Sequence, residues 1–251
     1  MSMSSAAAGS GALAGSFSVG AVLQRTIGVF SRHIVLFVLV AAAMQITQLF
    51  VVVTRQPLGS AGFAATARLG GIGLLVALVL APLSQTVIYH AAFQDMLGRP
   101  PRFGDSLAFV FRRFFPVLGT LICMGAAIVL GCMVVLVPGI ILAAMFAVAV
   151  PAAVVEQLGP FASLGRSRAL TKGHRWRIFG IAVLLFVIAL IGDGVAGVLR
   201  LMLGGMLGGL AGFAINAVVA AYWSVAGVVM YHDLRVAKEG MDTGRIAAVF
   251  D

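Results

Sequence analysis

Six long apolar runs divide the chain, at residues 34–53, 69–92, 115–137, 140–155, 178–201 and 210–230. A helix crossing the roughly 30 Å hydrocarbon core of a bilayer needs about 20 predominantly apolar residues. The runs meet or approach that length and are continuous. A membrane barrel strand is only about ten residues long and alternates apolar with polar positions. The expected fold class is therefore all-α, an integral membrane protein with six transmembrane helices. Its surface agrees: charged residues make up 10% of the 251 positions and hydrophobic ones 61%, whereas a soluble domain carries roughly 25% charged residues. Lipid has to solvate most of such a chain.

Charge then sets the orientation. Arg25 and Arg32 precede the first run, and Arg99, Arg102, Arg112 and Arg113 lie between the second and third. Arg166, Arg168, Lys172, Arg175 and Arg177 lie between the fourth and fifth, and Arg235, Lys238 and Arg245 follow the sixth. In a six-span arrangement all of these fall on one side, leaving only Arg55, Arg68 and Arg200 on the other. The positive-inside rule puts the larger group, and both termini, in the cytoplasm. Five or seven spans would split these clusters. A net charge of +9 on a soluble protein would suggest nucleic acid. Here the basic residues flank apolar runs, so the expected partners are anionic membrane lipids, with a membrane-protein partner or a second copy also open, and no nucleic acid.

Residues 1–16 contain no Lys or Arg and lack the basic and apolar regions of a signal peptide. They are expected to be a flexible tail before a membrane domain at 17–240 and a cytoplasmic tail at 241–251. Cys123 and Cys132 lie nine residues apart in one span, about 13 Å along a helix, too far for a disulfide.

A repeat is superimposed on the spans. Three short Phe- and Arg-bearing segments, Phe17 to Arg32, Phe103 to Phe114 and Phe161 to Gly173, each precede a pair of runs. The first two place Val19, Val22, Leu23, Ile27 and Phe30, and Leu107, Val110, Phe111 and Phe114, at helical spacing on one face. In the third the basic residues are spread all round. Tyr89-His90 and Tyr231-His232 stand nine residues before Gly98 and Gly240, and Val150-Pro151 holds that place before Gly159. The expected architecture is a threefold repeat of a short cytoplasmic interfacial helix plus a span hairpin.

Polar residues inside the runs are costly and so informative. Asp193, about fifteen residues into the fifth run, has Arg200 two turns further on. One reading pairs Asp193 with Arg200 or water near the outer interface, and the other makes it a proton or cation relay of a small-solute transporter. Gln45, Gln48, Gln85 and Asn216 are candidates for interhelical hydrogen bonds, each worth about 1 kcal/mol. Pro82 and Pro151 are expected to kink their spans, and Pro138-Gly139 to turn the third span into the fourth. His33, His90, His174 and His232 gather at the same ends of their spans. No metal-binding or nucleophile motif accompanies them, so neither cofactor nor catalysis is expected. A membrane enzyme acting on phospholipid would have to draw on the level of His90 and His232.

The connector after the fourth run reads Glu156-Gln-Leu-Gly159-Pro160, then Leu164-Gly-Arg166-Ser167, then Leu170-Thr171-Lys172-Gly173 and Trp176. The sixth run closes on Tyr231-His232-Asp233-Leu234-Arg235 and Lys238-Glu239-Gly240. With these segments the chain resembles the glycerophosphoryl diester phosphodiesterase membrane-domain family and its six-span relatives of the bacterial inner membrane, from about Phe17 to Gly240 and most strongly from Val150 to Trp176. Some members carry a soluble phosphodiesterase barrel, which needs about 250 residues. Spans and connectors are expected to use all 251 residues here, so the resemblance implies a lipid-handling membrane module without that chemistry. Locally, Gly159-Pro160 suits a helix start and Gly173 a helix end. Glu156, Arg166, Ser167, Arg168, Lys172 and Trp176 are expected to form a structural clasp or a lipid-headgroup site.

Overall fold

A computed structural model describes residues 17–45, 85–96 and 103–239, and all of their regular structure is helical. Helix α1 spans Val19–Arg32 and α2 Ile34–Met44. Residues 85–96 form α3. Helix α4 spans Phe103–Val134, α5 Leu136–Phe146, α6 Ala149–Val155 and α7 Pro160–Thr171. Two long helices follow, α8 at Arg175–Leu203 and α9 at Gly205–Glu239.

Among the described residues, four stretches are long and apolar enough to cross a membrane: Arg112–Met133, Val137–Val155, Arg175–Leu203 and Gly205–Glu239. A fifth is reached if α1 and α2, which meet at 88°, count as one bent span. The expected runs at 34–53 and 69–92 lie partly outside the described residues, as do Gln48, Pro82 and the glycines at 98 and 240.

Helix α9 is the axis of the bundle and packs against α8, α2 and α1. The buried core includes Tyr231, Phe37, Ile88, Leu170, Ile178 and Ile181. Large apolar side chains such as Leu130, Met133, Val187 and Leu201 stay exposed along α4 and α8. This distribution suits a helix face turned to lipid. Two buried hydroxyls bond within their own helices: Thr26 donates to the Val22 carbonyl at 2.7 Å and Ser224 to that of Ala220 at 2.9 Å.

Helix α1 is the expected short amphipathic helix. Ser18 caps its start by accepting from the Ala21 N–H, and Val22, Thr26 and Val29 form its buried face. The second expected short helix is not a separate element. Helix α4 runs unbroken from Phe103 through Pro116 into the span. Pro116 does not end it: it removes only the bond to the Arg112 carbonyl, a loss that apolar membrane helices tolerate.

The third-to-fourth turn falls at extended Val135, three residues before Pro138, which sits with Gly139 in the first turn of α5. Proline is tolerated there because that N–H has no partner within the helix. Gly139 instead lets the two helices touch: a Cβ on it would lie 2.1 Å from Cys132 Sγ and 2.8 Å from the Cys132 nitrogen. The fourth span breaks at residues 147–148, four residues before Pro151, whose ring crowds the carbonyl at that distance and removes its donor. Helices α8 and α9 are joined through Gly204 and Gly205, both at positive φ (61° and 42°), where a side chain would be strained.

Candidate functional site

Helix α9 has 35 residues, about 52 Å at 1.5 Å per residue, so its last turns extend well beyond a roughly 30 Å hydrocarbon core. The extension meets the α6–α7 connector and α7 in a charged clasp. The Glu156 carboxylate accepts both oxygens' worth of contact from Arg166 Nε, at 2.7 and 2.8 Å, and a hydrogen bond from the Tyr231 hydroxyl at 2.6 Å. Arg166 also pairs through Nη2 with Glu239. Glu239 accepts from Arg235 Nε at 3.0 Å. Burial pushes the Glu239 carboxyl up, but the hydrogen bonds from Arg166 and Arg235 outweigh it and hold it below its ordinary value. Burial also opposes the charge on Arg166, and Glu156 and Glu239 more than offset that.

The connector is shaped to present these groups. Gly159 is extended and Pro160 opens α7. Gln157 adopts φ 57°, unusual for a residue with a side chain. Arg113 of α4 holds it, donating to its backbone carbonyl at 2.7 Å and to its side-chain oxygen. At the other end of α7 the helix stops at Thr171, and Gly173 has φ 88°.

Other ion pairs tie α1 to the same end of the bundle. Arg25 pairs with Asp233, and His33 and Arg32 approach Asp95 at 3.0 and 3.5 Å. Arg177 donates to the Phe17 carbonyl. His174 sits edge-on to Phe17. Burial lowers the His174 pKa, with Lys238 and Arg177 adding repulsion.

The residues singled out along the sequence divide into groups. Glu156 and Arg166 meet in the clasp. Ser167 does not face headgroups: it is buried and donates to the Met145 carbonyl at 2.8 Å, joined there by Thr171 at 3.2 Å. That carbonyl lies in the last turn of α5, where helix carbonyls lack partners of their own. Arg168 and Lys172 are exposed. Trp176 is 86% exposed and Phe161 81%. These four leave a basic, aromatic surface beside the clasp.

The two Tyr-His pairs are not equivalent. Tyr231 is fully buried in the clasp, while Tyr89 lies in a cavity described below. His232 approaches its neighbour Asp233 at 3.4 Å, and His90 contacts Gln94 at 2.7 Å. Among the described residues no group of three or more His, Cys, Asp and Glu could share a metal ion.

Asp193 and Arg200 are both exposed, and no ion pair joins them. Arg200 lies across α9 instead: a Cβ on Gly212 would come within 2.5 Å of its Nε. The close approach of α8 to α9 here sets the guanidinium against Gly212. Among the described residues, the expected interhelical bonds of Gln45 and Gln85 are absent at their oxygens, which are buried without a partner there. Asn216 is half-buried and makes no hydrogen bond among the described residues.

Glu156 and Arg166 belong to the clasp expected from the connector, but which basic residue Glu156 takes is fixed only by the fold. Tyr231, Arg235, Glu239 and the Arg113–Gln157 latch were not singled out as its partners, although the Tyr-His repeat and the Lys238-Glu239-Gly240 ending mark the right end of α9. Comparison with known proteins singles out the same region. A family model described as a domain of unknown function (DUF7847) matches residues 104–238, more than half of the chain. The chain belongs to this family. No curated protein and no solved structure matches it. The DUF7847 region holds α4 to α9 and every clasp residue except Glu239, one position beyond its edge.

Proposed function

We propose that this protein is a non-enzymatic component of a bacterial inner membrane, with both ends cytoplasmic, whose cationic face binds anionic phospholipid. The carrying observation is the division of labour around α7. Arg166 is neutralised by Glu156 and Glu239, while Arg168 and Lys172 stay exposed beside Trp176 and Phe161. Exposed Trp at the end of a span anchors in the headgroup layer. Each Lys or Arg at an anionic leaflet adds about 1 kcal/mol. The resemblance to the glycerophosphoryl diester phosphodiesterase membrane domain supports the same reading, a lipid-handling module without the phosphodiesterase.

The test is native mass spectrometry of the protein released from its own membrane. Wild type is expected to retain anionic phospholipid at fixed stoichiometry. Replacing Arg168 and Lys172 with Gln removes two surface cations without touching the clasp. It is expected to lower retention by roughly tenfold or more. Equal retention by wild type and variant overturns the reading.

A further inference from the structure

A cavity of about 470 Å³ lies between α3, α4, α5, α8 and α9, within the roughly 300–1,000 Å³ range of small-molecule sites. Ile178, Ile181 and Met230 are buried in its wall, whereas Ile140, Val183, Phe186 and Trp223 are exposed along its rim. The rim residues lie mid-helix, so the opening faces sideways through the apolar belt.

Two polar groups break this apolar lining. Tyr89 is only 7% exposed, and its hydroxyl makes no hydrogen bond among the described residues. Gln85, one turn away on the same helix face, has a buried Oε1 without a partner. Leaving such groups unpaired in an apolar site is costly, and a ligand with a polar group at that level would relieve the cost. The level is specific. A Cβ on Gly227 would stand 3.8 Å from the Tyr89 hydroxyl. Gly227 precedes Tyr231 of the clasp by one helical turn, about 6 Å. That depth lies just beneath the charged surface.

The wall of the cavity approaches that surface along α8. Phe179 lines it, and Trp176 packs edge-on against Phe179 with ring centroids 6.2 Å apart. Exposed Trp176 thus stands one turn from the cavity wall, next to the exposed Lys172 and Arg168, and the Tyr89 phenol lies inside the cavity. Its occupant therefore needs a negative head, a hydrogen-bond acceptor just below it and a long apolar tail.

We propose that the cavity seats one acyl chain of an anionic glycerophospholipid whose headgroup lies on the Arg168–Lys172–Trp176 surface, with the Tyr89 hydroxyl donating to its ester carbonyl. This rests on the lipid-binding reading above and adds where the chain goes and what grips it.

The test uses the full chain in phosphatidylcholine nanodiscs doped with phosphatidylglycerol that carries a photoactivatable diazirine at the end of one acyl chain. Labelled peptides are mapped by mass spectrometry. Labelling is expected on cavity residues such as Ile128, Phe186 and Trp223. Gly227→Leu fills the slot and is expected to cut that labelling at least tenfold. Gly227→Ala, whose methyl meets its neighbours at ordinary contact distance, is expected to label as wild type and controls for folding. Tyr89→Phe keeps the shape and is expected to lower labelling about fivefold, the value of one hydrogen bond.

Labelling confined to outward residues such as Leu190 and Leu201 overturns the proposal. So does cavity labelling unchanged by Gly227→Leu. Phosphatidylglycerol retention that falls with the Arg168/Lys172 variant but not with Gly227→Leu keeps the headgroup site and removes the acyl seat. Equal cavity labelling by a phosphatidylcholine probe does the reverse: the acyl seat stands and the anionic headgroup reading falls.

Discussion

The Tyr231 hydroxyl and the Arg166 guanidinium share one acceptor, the carboxylate of Glu156, from which they lie 2.6 and 2.7 Å away. Neither bond is independent of the other, because each helps to fix the carboxylate for its partner. Tyr231→Phe is expected to cost about 1 kcal/mol of stability, as for a single hydrogen bond. Glu156→Gln is expected to cost about 2 kcal/mol, because it removes one of the two carboxylates that neutralise the partly buried Arg166. In a double-mutant cycle the two changes should be less than additive. Thermal unfolding in detergent measures this, and strict additivity would count against a shared acceptor.

Gly139 is a packing position. An added methyl would collide with both the side chain and the backbone of Cys132. Gly139→Ala is expected to destabilise by about 1–3 kcal/mol, the usual cost of overpacking. Gly180 of α8 has open space around its Cβ position, so Gly180→Ala is expected to be neutral or to stabilise by up to about 1 kcal/mol. Parallel melting curves compare the two, and an equal effect would remove the packing argument.

Protonation of His174 should unlock the junction of α7 and α8. Burial and the nearby Lys238 and Arg177 lower its pKa in the folded protein from 6.5. The unfolded chain therefore takes up a proton that the folded one refuses. The resulting stability is complete above pH 6.5 and is lost as the pH falls through the depressed value. His174→Gln should flatten this part of the profile of melting temperature against pH. A profile identical to wild type would show that the acid sensitivity arises elsewhere.

Pro151→Ala restores a donor opposite the Ala147 carbonyl. The expected result is a more continuous helix across residues 147–148 and a weaker grip of Ser167 and Thr171 on the Met145 carbonyl. The new N–H of residue 151 should be protected from exchange, exchange should slow at its neighbours, and it should quicken in α7. Unchanged exchange in both places would mean that Pro151 does not cause the break.

The spans that could be read from the sequence are those whose apolar runs are bounded by strong breaks. The run at 178–201 lies within α8, which stops at Gly204 because that residue takes a positive φ. The start of α4 was harder to read. Its amphipathic beginning and its apolar continuation share one helical period across Pro116, and a change in composition is not a change in backbone. The turn into α5 was misplaced for the opposite reason. Pro138-Gly139 looks like a turn, but proline fits the first turn of a helix and glycine fits a tight helix contact. In the clasp, Glu156 and Arg166 are near neighbours along the chain, ten residues apart. Tyr231 reaches Glu156 from 75 residues away, and no local pattern records such a meeting.

The clasp also has a consequence for the order in which the chain matures. Glu156 and Arg166 come off the ribosome early, but Tyr231, Arg235 and Glu239 belong to the last turns of α9. Until those turns are made, Arg166 has Glu156 alone and α7 has nothing to dock on from α9. Closure is thus the last local event of the fold, because the three parts can lock only when α9 is complete and its end stands beside α7.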